Sequence, residues 1–246
     1  MVESSLFETL HLDSFSPLDL ALRFKCPQCS YYRKYYCYDC LIPMISNFPK
    51  VSLPCKTIIL KCKKEPRCKS SAIPIKLLSP ENSEIIDCLG EDNSIPEFPS
   101  NTMLLFPGSE SKSLSELSND ELLGVKNLVF IDSTWHQTKS MLRNQRVANL
   151  PMFRLENHKT AFWRYQHESE YSLATIEAVY YAYVDMYNEK YSRGLEAEAY
   201  NGQYDNVLWY FVYTYKRIQS EYIEKKHKGK TFRHIPGYIK KIISNL

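Results

Sequence analysis

Leu128-Val-Phe-Ile131 runs directly into Asp132-Ser-Thr-Trp135, and these eight residues decide how the rest of the chain is read. Four apolar residues, three of them β-branched or aromatic, are bounded by Asn127 and Asp132, the length and borders of a buried strand. A carboxylate, two hydroxyls and an indole then stand where the strand ends, and open α/β sheets put their ligand sites at that edge. As a purely local feature, Asp132 or Ser133 would equally cap a following helix.

Outward from this octet, short apolar runs at 57–60, 85–89 and 103–106 predict further strands of one central sheet. Helical spacing predicts a helix over 134–146 and a stronger one over 173–188, where Leu173, Ile176, Tyr180, Tyr183, Val184 and Tyr187 share a face. A third helix is expected over 205–225 and a short one around 17–23, within an otherwise weakly structured start. The Ser-rich stretch 109–118 reads as a surface loop or a helix start. Strands alternating with helices predict an α/β fold with a mostly parallel sheet. The expected division is an N-terminal segment 1–24, a cysteine module 25–50, a catalytic domain 51–225 and a basic tail 226–246.

The chain has 246 residues, 44% hydrophobic and 24% charged, which excludes a wholly disordered, collagenous or coiled-coil protein. It lacks a run of 18 apolar residues, and its first twenty residues carry four acids in place of a basic and apolar leader, so neither membrane insertion nor secretion is expected. Charge is segregated: residues 50–76 hold eight basic side chains against Glu65 alone, 78–124 hold ten acids against Lys112, and the chain from Lys216 onward is basic again. Such a pattern suits a polyanion gripped from two sides, or simply solvated faces. The basic stretch 225–230 favours the nucleus over the cytoplasm as compartment.

Cys26-Pro-Gln-Cys29 and Cys37-Tyr-Asp-Cys40 form two CxxC knuckles. Four soft thiolates at this spacing suit tetrahedral Zn2+, and four protein ligands leave no open coordination position, so the site is expected to be structural. Tyr31, Tyr32, Arg33, Lys34, Tyr35 and Tyr36 between them offer stacking rings and phosphate contacts. Cys55, Cys62 and Cys68 lack comparable spacing and are expected to be free thiols.

Asp132-Ser-Thr-Trp135 resembles the D-x-T-W signature of the DTW-domain family, the tRNA-uridine aminocarboxypropyltransferases. Further landmarks are similar in the same order: Leu105-Phe-Pro107, Phe162-Trp163-Arg164, Thr175-Ile-Glu177-Ala178 and Gly202-Gln-Tyr-Asp-Asn206. With the knuckles they cover the chain from Cys26 to Tyr215. One departure stands out: Ala174 occupies the place of a family serine, with Ser172 the nearest substitute hydroxyl.

The resemblance implies transfer of the 3-amino-3-carboxypropyl group of S-adenosylmethionine to N3 of a tRNA D-loop uridine, position 20 being expected, with 5′-methylthioadenosine released. It also implies a SPOUT-like domain with a knotted C-terminal region. On the chemistry, uridine N3 becomes a good nucleophile only after losing its proton, so Asp132 is the candidate base, or else an anchor for the donor's amino group, with Trp135 beside it. Leu105, Phe106, Pro107 and Gly108 are expected around the adenine, and Ser133, Thr134, Thr175 and Glu177 around the amino-acid arm. N3 lies on the Watson–Crick edge, so the target base must be unpaired or extruded. Trp135, Trp163 or Tyr165 are candidates to stack on it. Lys139, Arg143, Arg154, Arg164, Lys225, Lys226 and Lys228 are candidates for tRNA phosphates. No DNA partner is expected, and the chain is expected to be a monomer. The rival readings are a SPOUT-like RNA methyltransferase and a non-catalytic zinc-stabilised RNA-binding module.

Overall fold

The computed structural model describes residues 5–89, 94–163 and 169–227. Helices α1 (Ser5–Glu8) and α2 (Ser16–Asp19) lead into two small antiparallel hairpins, β1 (Phe24–Lys25) with β2 (Tyr32–Arg33) and β3 (Tyr36–Cys37) with β4 (Ile42–Pro43). Then come β5 (Lys56–Cys62), α3 (Ile73–Leu78), β6 (Ser83–Cys88), β7 (Thr102–Leu105), β8 (Lys112–Ser113), α4 (Asn119–Gly124) and β9 (Asn127–Asp132). The chain closes with α5 (Trp135–Met141), α6 (Gln145–Ala148), β10 (Met152–Arg154), α7 (Thr175–Ser192) and α8 (Trp209–His227). None of the described helices is long and apolar enough to cross a membrane.

Six strands pair in the order β6-β5-β9-β7-β10-β8, every pair parallel. A parallel sheet is covered on both faces, so its strands read as continuous apolar runs, and β5 is buried at every position after Lys56. Leu128 and Phe130 of β9 pack on one side with α7 and the start of α8, while Val129 packs on the other with Met141 of α5 and Val147 of α6.

The four expected strands are present, with that of 85–89 beginning earlier, at Ser83. Two more strands were not anticipated: β8, inside the Ser-rich stretch, and β10, which inserts between β7 and β8. The helix expected over 134–146 is two pieces, because Asn144 turns its side chain back to accept the Arg146 N–H at 3.0 Å and starts α6 anew. Residues 7–20 are docked, contrary to the expectation of weak structure at the start of the chain. Leu18 is fully buried, His11 N–H donates to Asp205 Oδ2 (2.7 Å), and the Trp209 indole donates to the Asp13 carbonyl (3.0 Å). Gly202 makes this clamp possible: at φ +93° it is in the region that favours glycine, and a Cβ there would stand 2.5 Å from His11 Nδ1.

The segregated charge partly cancels across the sheet. Lys56 pairs with Glu84 at 2.5 Å, and Lys61 lies 3.7 Å from Asp87, which also binds Arg67. Part of the basic segment 50–76 therefore faces the acids of the adjoining strand.

Candidate active site

Because β7, β9 and β10 run in parallel, their C-terminal ends open on one edge of the sheet, and there the chain leaves a cavity of about 450 Å³. Its wall is built from Leu105, Phe106 and Pro107 after β7, Ile131 and Ser133 around the end of β9, Leu155, Asn157 and His158 after β10, and Ser172, Leu173 and Thr175 at the start of α7. The volume lies within the range of about 300–1,000 Å³ usual for cofactor-sized ligands.

Alternation along β9 turns Asp132 away from Ile131 and Ser133, toward α7. Its carboxylate is buried, with 7% of the residue exposed, and receives two hydroxyl bonds: Ser70 Oγ donates to Oδ2 at 2.6 Å and Thr175 Oγ1 to Oδ1 at 2.7 Å. Burial pushes the Asp132 carboxyl above its ordinary value, although both hydroxyl bonds and the nearby Lys61 ammonium pull the other way. Each oxygen accepts one hydroxyl and retains further acceptor capacity.

Of the residues expected around the donor, Leu105, Phe106, Pro107, Ser133 and Thr175 share the cavity wall. Three others stand elsewhere or do something else. The Gly108 N–H closes a turn onto the Phe106 carbonyl (2.9 Å), and a Cβ there would meet only Met152 Sδ and the Phe106 ring at ordinary contact. Thr134 is exposed, its N–H donating to Gln137 Oε1 (3.1 Å) in the first turn of α5. Glu177 is 2% exposed and receives three protein donors at 2.7 Å, from the Thr160 hydroxyl and the N–H groups of Ala161 and Ala174. It ties the Thr160–Phe162 segment to the start of α7 and is not part of the cavity wall. Trp135 opens α5, and its side chain lies outside the described residues.

Among the expected phosphate contacts, Lys139 and Arg143 are exposed on and just beyond α5. Arg154 is engaged internally, with the Ser111 carbonyl, Glu116 and Glu156. Arg164, Tyr165 and Lys228 lie outside the described residues, as do the side chains of Lys225 and Lys226 on α8. Two residues escaped the sequence reading. Ser70 stands after a 3-10 turn, far from any motif. His158 follows a three-residue strand, and its Nε2 lies 2.6 Å from Asp185 Oδ2 while the ring stacks on Tyr181 at 3.8 Å. A lone hydroxyl or imidazole in irregular chain leaves no pattern to find.

The knuckles converge. The Sγ atoms of Cys26, Cys29, Cys37 and Cys40 all lie within 4.8 Å of one another, with Cys29 and Cys37 at 3.6 Å. Tetrahedral coordination at a Zn–S distance of about 2.3 Å sets sulfur–sulfur edges near ~3.8 Å, which this cluster approaches. Burial opposes ionisation of Cys37, yet the N–H groups of Cys40 and Asp39 and the adjoining thiols outweigh it and bring that thiol down to about 6. Cys40 is pushed up to about 12 by burial and by the same neighbours. Four thiolates side by side need a cation between them. Among the described residues this is the single such cluster, and Cys55, Cys62 and Cys68 form no other.

No solved structure matches the chain. A family model described as the DTW domain matches residues 23–219. The chain is 31% identical to the Xenopus laevis protein named tRNA-uridine aminocarboxypropyltransferase 1, over 93% of this chain and 91% of that one. It is 32% identical to the Homo sapiens protein of the same name, over 80% of this chain and 78% of that one. The buried aspartate at the end of β9, the cavity beside it and the cysteine knuckles thus sit in a chain that belongs to the DTW-domain family.

Proposed function

We propose that this protein is a tRNA-uridine aminocarboxypropyltransferase that takes the 3-amino-3-carboxypropyl group from S-adenosylmethionine and joins it to N3 of an extruded D-loop uridine. The observation that carries the reading is the Ser70–Asp132–Thr175 hydrogen-bonded group, whose Thr175 lines a cofactor-sized cavity on the carboxyl edge of the sheet. The names of the relatives support the acceptor and the transferred group.

In the reaction the uridine N3–H bond breaks, an N3–Cγ bond forms, and the Cγ–S bond breaks so that the electron pair leaves on sulfur as 5′-methylthioadenosine. Asp132 is the proton acceptor, made more basic than a free aspartate by burial. Apolar walls from Leu105, Phe106 and Pro107 hold the adenine, and the start of the 18-residue α7, with Thr175 and Ser133, faces the arm's carboxylate. This orientation presents the γ carbon in place of the methyl group. Cys26, Cys29, Cys37 and Cys40 hold a structural Zn2+, and Lys139 and Arg143 face tRNA phosphates.

The test is incubation with unmodified tRNA and S-adenosylmethionine followed by nucleoside mass analysis. An aminocarboxypropyl gain on uridine is expected. A methyl gain, or tRNA bound and left unchanged, overturns the reading.

A further inference from the structure

We propose that a second, smaller cavity on the other side of Asp132 receives the ring of the acceptor uridine; the inference rests on the transfer reading above. This cavity measures about 200 Å³, below the range of about 300–1,000 Å³ for cofactor-sized ligands and suited to a single ring. Tyr36, Phe162, Trp163, Tyr210 and Phe211 supply its walls. An extruded base is held by stacking between aromatic side chains, worth about 1–3 kcal/mol per base, and by hydrogen bonds to its polar edge.

The polar edge is available where it is needed. Ser70 borders this cavity and Thr175 borders the larger one, and the two hydroxyls bond the two oxygens of the same carboxylate, at 2.6 and 2.7 Å. Ile176, the residue after Thr175, borders the smaller cavity. The Ser70–Asp132–Thr175 group therefore joins a space for the donor to a space for a base, and a uracil whose Watson–Crick edge faces Ser70 brings N3 to that junction. Lys69, exposed, also borders this cavity and suits the phosphate of the extruded nucleotide. The cysteine module has a direct part here: Tyr36 lies between the knuckles, and its ring meets Tyr210 edge-on at 5.0 Å.

Two measurements test this. Thr214 is a half-buried lining residue on α8, and Thr214→Phe fills the cavity without touching Asp132. Transfer to tRNA should fall about tenfold or more, with S-adenosylmethionine binding by calorimetry unchanged. Wild-type transfer rates in a folded Thr214→Phe protein overturn the proposal. Cys68, also lining this cavity, is the exposed cysteine of the chain, so its alkylation can be followed in wild-type protein by peptide mass analysis. Unmodified tRNA should slow it, S-adenosylmethionine alone should not, and tRNA with abasic residues at its D-loop uridines should protect less. Equal protection by intact and abasic tRNA overturns the proposal even if Thr214→Phe fails to fold. Wild-type protein that forms no adduct overturns the transferase reading instead, and base-dependent protection of Cys68 would then establish the cavity as a nucleobase site on its own.

Discussion

Asp132 combines two features that pull against each other: a position deep enough to raise its proton affinity, and two hydroxyl donors that favour the charged form. Burial prevails, which fixes the sign of a pH effect. A carboxyl whose folded value lies above its unfolded value stabilises the fold at low pH, and that contribution is lost as pH rises through the folded value. Asp132→Asn removes this titration. In urea unfolding across a pH series, the wild type should lose stability relative to Asp132→Asn as pH climbs above the ordinary carboxylate range, and parallel curves would refute the burial argument. The same substitution removes the proposed proton acceptor, so transfer should drop by about 100-fold or more while tRNA affinity is retained.

Helix α7 shows how an element can be anchored without a side-chain cap at the residue before it. Ala174 precedes the first helical residue and has no side-chain oxygen to offer, so the start is organised from inside: Glu177 takes the Ala174 N–H and reaches across to Thr160 and Ala161. That holds Thr175 against Asp132 and keeps the Ser172–Thr175 wall of the larger cavity in place. Glu177→Gln exchanges one acceptor oxygen for a donor that faces donors already present. It should cost about 1–3 kcal/mol, read as a lower urea midpoint, and weaken donor binding through the displaced wall. Unchanged stability would refute this account of the helix start.

At the scale of the whole molecule, the cysteine module is a buttress for α8. Tyr35 and Tyr36 pack against Tyr210 and Tyr213, and the Tyr35 hydroxyl accepts from Arg217 Nη1 at 2.7 Å. From the other side, Phe7 and Phe15 pack onto Phe211, Tyr215, Trp209 and Tyr213. Purified protein should contain one zinc ion per chain. Stripping it with a strong chelator should lower the thermal midpoint by about 5 °C or more and abolish transfer, with restoration on adding zinc. A protein without zinc, or one indifferent to the chelator, would refute the structural role of the metal.

The octet around Asp132, the CxxC spacing and the central strands were legible in the sequence because each depends on neighbours in the chain. A parallel strand buried on both faces must be continuously apolar, and paired knuckles must keep a short spacer to close on one ion. Strands β8 and β10, two and three residues long, were not legible, because parallel pairing alone makes them strands. The sequence likewise suggested Glu177 as a ligand contact, since an acid in a first helical turn looks the same whether it faces solvent, ligand or core. The break between α5 and α6 depended on the direction of one asparagine side chain. Tertiary structure alone decided that Ser70, 62 residues before Asp132, bonds its carboxylate, and that Tyr36 and Phe211 line one cavity. Contacts between distant segments are set by how layers pack, and packing leaves no period along the chain.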